Sequence, residues 1–171
     1  MLTLLALLFV LLCMISDVSF RRIPNALTGG AVLIGLVEHT ITGGIPGLAV
    51  SVVGLVIAPL ALLGPFALGG IGGGDVKMMA AVGALIGPKP AMVALAFGLP
   101  LGGVIAVAHL AKRRRLRQKV SRLAGMVRQA STEWSFDPLR LSANDADAIA
   151  LPYAIPLGLG VALSLMIRGG V

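Results

Sequence analysis

The chain has 171 residues and a mass of 17.4 kDa, with 57% hydrophobic residues, 12% charged residues and a mean hydropathy of +0.99. Soluble domains are about one quarter charged, so this composition argues against a soluble enzyme, a disordered tail or a nucleic-acid-binding domain and for an integral membrane protein. The net charge of +7 does not reverse this, because nine of the 14 basic residues lie between Lys112 and Arg140. One basic loop between apolar segments is a topology signal rather than a nucleic-acid surface.

The first segment, Met1 to Ser16, has no charged side chain. Arg21 and Arg22 follow it and no A-x-A site precedes them. It therefore reads as a retained first helix with its N-terminus outside, not as a cleavable signal peptide. The next expected helices run from Ala26 to about Thr40 and from Ile45 to about Leu63. The stretch from Thr40 to Gly74 contains no charged residue, which is enough chain for one helix and a buried loop. A fourth helix is expected over Val76 to Gly87, a fifth over Pro90 to Ala108 and a sixth over Ala148 to Ile167. The expected fold is thus an all-α polytopic membrane protein, residues 1–171 forming one membrane-embedded domain. It has about six transmembrane helices and a glycine-rich loop before the fourth.

Charge distribution supports that layout. With the N-terminus outside, 12 of the 14 basic residues face the cytoplasm and two, Lys89 and Arg168, face outward. The positive-inside rule favours this orientation. Within the basic cytoplasmic loop, at about 111–147, Leu116, Val120, Leu123 and Val127 recur at helical spacing. Two readings stand for it: a basic helix lying on anionic headgroups, or a solvated loop that sets topology. The acidic stretch from Ser131 to Asp147 reads as a connector.

Outside that connector the chain has three acids, Asp17, Glu38 and Asp75. Glu38 is expected at the outer end of the second helix beside His39, in water. Asp17 and Asp75 are expected to emerge together on the cytoplasmic side, because two helices separate them. An ionisable group at the edge of hydrocarbon is costly and marks a functional candidate. Asp17 is expected to end the first helix, followed by Arg21-Arg22-Ile23-Pro24-Asn25. Pro24 cannot continue a helix from upstream but suits the first turn of the next. Asp75 closes Gly69-Gly70-Ile71-Gly72-Gly73-Gly74, where five glycines in six positions oppose a helix and permit close backbone approach. Two carboxylates across a small wet cavity suit aspartic hydrolysis: one takes a proton from water, the other polarises the scissile carbonyl. The plainer alternative is a pair of helix-end caps, which the cost of two intramembrane charges makes less economical.

These motifs resemble those of the prepilin peptidases, aspartic membrane proteases of the GxGD type. The residues that carry the resemblance are Asp17 with Arg22-Ile23-Pro24-Asn25, and Gly72-Gly73-Gly74-Asp75 with Val76-Lys77. Leu151-Pro152-Tyr153-Ala154-Ile155-Pro156-Leu157-Gly158 resembles the start of that family's last helix. The resemblance implies an Asp17/Asp75 catalytic dyad. It also implies a pilin-like precursor as substrate, whose short basic leader is cut after a glycine at the cytoplasmic face of the cell inner membrane. Gly72, Gly73, Gly74, Ile23, Pro24 and Asn25 then become candidates for the substrate loop. Large members of that family carry a cysteine-rich cytoplasmic insert and also methylate the new N-terminus. This chain has one cysteine and only six residues between Arg22 and a clear apolar run. It is closer to the small Flp-pilus type, without expected methyltransferase activity.

Lys77, two positions beyond Asp75, is expected to snorkel to headgroups from another helix face, with a possible tuning role on the dyad. Trp134 and Tyr153 suit the membrane interface, and Cys13 and the seven methionines suit packing. His39 and His109 fall on opposite sides, so no metal site and no cofactor are expected. The expected partners are the precursor and membrane lipid, with no nucleic acid. Two other classes compete: a non-enzymatic membrane subunit or small transporter with Asp17 and Asp75 as a proton or cation site, and a GxGD peptidase acting on preflagellins.

Overall fold

The computed structural model describes residues 2–67, 70–112 and 153–169. These form five helices and no strand: α1 (Leu2–Phe20), α2 (Asn25–Ala67), α3 (Gly73–Ile86), α4 (Pro88–Lys112) and α5 (Ala154–Gly169). Three of them, α1, α2 and α4, are long and apolar enough to cross a membrane. Large apolar side chains such as Leu4, Leu8, Leu11, Ile15 and Val18 on α1 are exposed. That surface fits a hydrocarbon solvent, and the chain is an all-α membrane protein.

Among the described residues the six expected helices are five elements, because the second and third are joined in one 43-residue run broken at Gly44. Gly44 adopts φ 60° and ψ −146°, a backbone region essentially reserved for glycine. Pro46, two residues later, has no N–H and restarts a helix readily. The break folds α2 back on itself, as two observations establish. Gly47 lies against the backbone of His39. Gly35 and Gly54, which a straight helix would hold about 28 Å apart, both touch adjacent residues of α3, Ala84 and Gly83.

The hairpin of α2 makes its largest contact with α3. A Cβ on Gly35 would stand 2.6 Å from the Ala84 carbonyl oxygen, and one on Gly83 2.6 Å from the Gly54 carbonyl carbon. Backbones can meet this closely only where side chains are missing, the usual device where lipid removes the hydrophobic driving force between helices. Ser51 Oγ adds a buried hydrogen bond of 2.8 Å to the Ala84 carbonyl. Met78, Met79 and every residue from Ala81 to Gly87 are buried, so α3 is the central rod of the bundle. From Met78 onward α3 is apolar all round, and a helix of that kind belongs in such a place. At 14 residues it is shorter than a lipid-facing span, and burial within protein removes that length requirement.

The second packing unit joins α4 to α5. Gly98 approaches Leu157 and Pro156, Gly160 approaches Ala94 and Gly98, and Ser164 Oγ donates to the Pro90 carbonyl at 2.7 Å. Helix α1 closes the bundle, with Val10 and Met14 against Gly158 of α5. Its buried residues Ala6, Phe9, Val10 and Cys13 form a single stripe at helical spacing.

Two boundaries differ from expectation. Helix α1 continues past Ser16 to Phe20, because Val18, Ser19 and Phe20 contain no breaker; it stops at Arg21, whose φ of 51° is left-handed. Asp17 is therefore one turn inside the helix, and its carbonyl accepts the Arg21 N–H at 2.9 Å. Helix α3 starts at Gly73, not Val76, so the last two glycines of the run are helical. The expected basic loop at about 111–147, apart from the end of α4, and the start of the expected last helix lie outside the described residues.

Because the α2–α3 seam is set by missing side chains, Gly83→Val should destabilise the protein by about 1–3 kcal/mol through overpacking. Gly64 of α2 has open space at its Cβ, so Gly64→Ala should unfold no earlier than wild type. Thermal unfolding of the purified variants in detergent measures the contrast; equal midpoints for wild type and Gly83→Val would contradict this seam.

Candidate functional site

The five helices sort the polar residues to two ends of the bundle. Asn25 begins α2, the side chain of Phe66 near its end lies against Gly73, and Gly73–Asp75 begins α3. Asp17 near the end of α1 and Tyr153 before α5 join them at this end. At the far end Arg168 reaches the Ile86 carbonyl at 3.5 Å and Ser164 reaches Pro90.

Asp17 continues the buried stripe of α1, four residues after Cys13, so helical periodicity turns it inward. It is partly buried. The N–H of Ala154, the first residue of α5, faces its carboxylate. That amide is one of the donors a helix start leaves without an intrahelical partner. Asp75 is 6% exposed. It occupies the third position of α3, where its Oδ2 reaches back to accept the Gly72 N–H at 3.2 Å. This is the acidic half of a capping box. Gly72, with no side chain of its own, brings its amide to the carboxylate without obstruction.

The two carboxylates lie close enough for the charge on one to act on the other. Cys13, fully buried one turn before Asp17, feels both. Asp17 Oδ2 and Asp75 Oδ1 are buried and have no hydrogen-bond partner among the described residues. Buried polar atoms without partners are rare in native proteins, and such atoms often mark catalytic or ligand-binding positions. Two neighbouring carboxylates, each with a buried oxygen that meets no donor among the described residues, can share a proton and engage a third group.

The connector between α1 and α2 packs against the same helix start. Ser16 Oγ donates to the Arg22 carbonyl at 2.7 Å. Ile23 is buried, and its side chain lies 3.6 Å from where a Gly74 Cβ would be. Pro24 is exposed, and its carbonyl accepts the N–H groups of Leu27 and Thr28, which opens α2. Lys77 differs from expectation: its Nζ donates to Asn25 Oδ1 at 3.0 Å, tying α3 to α2. The glycines divide, Gly72 capping α3 and Gly73 and Gly74 forming its first turn.

Sequence reasoning missed Tyr153, which it assigned to the membrane interface. The residue is half-buried, within electrostatic reach of Asp75, with its ring against Gly102 of α4. Its place in Leu151–Gly158, the third motif of the resemblance, was the available signal. Among the described residues no group of three His, Cys, Asp or Glu could hold a metal ion.

Neither the curated proteins nor the solved structures gave a match to the chain. Residues 4–107, which include Asp17, the glycine run and Asp75, match the model of the type IV leader peptidase family. That match covers more than half of the sequence and carries general protease character with it. The chain belongs to the type IV leader peptidase family.

Proposed function

We propose that this protein is an aspartic endopeptidase that removes the short basic leader of type IV pilin-like precursors, of the Flp type, at the cytoplasmic face of the inner membrane. The observation that carries the reading is the pair of neighbouring carboxylates, each with one buried oxygen that has no hydrogen-bond partner among the described residues. Family membership supports the peptidase class and a pilin-like substrate in general.

In this reading Asp17 and Asp75 hold one proton between them, as like charges at short range favour. The ionised carboxylate removes a proton from water as the oxygen attacks the scissile carbonyl carbon. The protonated partner gives its proton to the carbonyl oxygen. The tetrahedral intermediate then collapses: the first carboxyl gives its proton to the leaving amine as the C–N bond breaks, and the second takes a proton from a hydroxyl of the intermediate, which restores the shared proton. Gly72, Gly73 and Gly74 carry no side chain to obstruct an extended peptide beside Asp75. Ile23, Pro24 and Asn25 form the neighbouring edge, and Lys77 acts through Asn25. The chain crosses the membrane six times, with the two arms of α2 counted separately and both termini outside. The basic loop after α4 then lies in the cytoplasm, on the side of the dyad.

Asp17→Asn and Asp75→Asn should each lower kcat by about 10²–10⁴-fold or more while the protein still inserts, because Asn keeps the size but cannot exchange the proton. Leader loss from a tagged pilin-like precursor, followed with purified enzyme, measures this. Appreciable turnover by either variant removes that residue from the dyad. Cleavage by two carboxylates needs no metal, so a chelator should leave the rate unchanged; loss of activity restored by zinc contradicts the mechanism. Reporter fusions at residue 130 should read cytoplasmic, and an external signal there overturns the six-crossing topology.

A further inference from the structure

The start of α5 brings a third polar side chain to the two carboxylates. Tyr153 opens that helix, its carbonyl accepting the Leu157 N–H at 3.2 Å, and the next amide, Ala154, faces Asp17. The phenol ring is held by an absence of atoms. A Cβ on Gly102 would stand 2.6 Å from Tyr153 Cε1, 3.0 Å from Cδ1 and 3.3 Å from Pro156 Cγ. Gly102 is buried in the middle of α4, where a glycine costs about 1 kcal/mol relative to alanine. That cost has a physical reason if the glycine seats the ring. The phenol is half-buried and within electrostatic reach of Asp75.

The chemistry at this end calls for a further donor. As water adds to a peptide carbonyl, negative charge builds on its oxygen, and one carboxyl proton is a single donor to it. Preorganised donors aimed at that oxygen are usually the largest catalytic contribution. Lys77, near Asp75 in sequence, is exposed and engaged with Asn25. The Tyr153 hydroxyl is a donor of the right type, and its ring is held against Gly102 at the end of the bundle that carries the two acids.

We infer that Tyr153 is a substrate-contacting residue whose hydroxyl donates a hydrogen bond to the scissile carbonyl oxygen, with Gly102 as the seat that holds its ring beside the dyad. This rests on the Asp17/Asp75 peptidase reading. The phenol keeps its proton throughout; only the hydrogen bond strengthens as charge develops.

Steady-state cleavage of a pilin-like precursor by the purified full-length enzyme tests it. Tyr153→Phe keeps the ring and its packing, and should lower kcat between about tenfold and a hundredfold with KM within about twofold. Gly102→Ala keeps the hydroxyl but displaces the ring, and should lower kcat by a similar factor. The double variant should be no worse than the weaker single one, since both remove one interaction. Wild-type kcat in Tyr153→Phe overturns the inference, as does a rise in KM with kcat unchanged. So does an activity loss confined to Tyr153→Ala, which would make the ring packing material only. If Gly102→Ala fails to fold, the isosteric Tyr153→Phe still decides the question. The parent reading fails separately: turnover by Asp17→Asn or Asp75→Asn removes the dyad, whereas inert Asn variants beside an unaffected Tyr153→Phe remove only the tyrosine.

Discussion

The close approach of the α2 hairpin to α3 is the contact on which the rest of the structure depends. In lipid an apolar helix gains little by burying apolar surface, so association must come from close packing and buried hydrogen bonds. Gly35, Gly54 and Gly83 supply the first and Ser51 the second. With both arms of α2 against it, α3 is enclosed by protein, and its first turn is fixed relative to Asn25 at one end of the hairpin and Phe66 at the other. The position of Asp75 follows from that enclosure. The Lys77–Asn25 hydrogen bond and the packing of Ile23 over Gly74 then fasten the α1–α2 connector to the same turn.

Two carboxylates in such a place carry a large desolvation cost, and the backbone offsets part of it. Asp75 accepts the amide of Gly72, and the amide of Ala154, at the start of another helix, faces Asp17. These amides have no intrahelical partner, so the pairing leaves no ladder bond broken. Among the described residues the compensation is incomplete, since one oxygen of each acid has no hydrogen-bond partner there. Incomplete satisfaction is costly to a fold and useful to a reaction, because the same atoms remain available to a proton and a substrate.

Three stretches far apart in sequence make this end of the bundle: Asp17 on α1, Gly72–Asp75 at α3 and Tyr153–Ala154 at α5. The first two fall within the region that matches the type IV leader peptidase family, and the third lies beyond it. A second glycine-lined seam, Gly98 and Gly160 between α4 and α5, brings the third to the others. The same packing device thus serves both halves of the site, once for the helix that carries Asp75 and once for the helix that approaches Asp17.

Much of this was legible in the sequence because it depends on composition and local chemistry. The scarcity of charge announced a membrane protein, and the rarity of acids within it singled out Asp17 and Asp75. Which face of α1 turns inward was not legible, because the segment is apolar nearly all round; it is the burial of Ala6, Phe9, Val10 and Cys13 that puts Asp17, one turn further along, on the inner face. The helix break near residue 44 follows from Gly44 and Pro46. Tertiary structure decided what local chemistry leaves open. That the glycines at 73 and 74 are helical despite their low propensity depends on their continuity with the buried part of α3 and on the side chains of Phe66 and Ile23 that lie against them. That Lys77 meets Asn25 depends on where the hairpin lands, 52 residues away in sequence. Tyr153 reads as an interface aromatic until Gly102 is seen beneath its ring. Residue types reveal which groups are costly to bury, whereas the partner each group meets is set by the packing of helices distant in the chain.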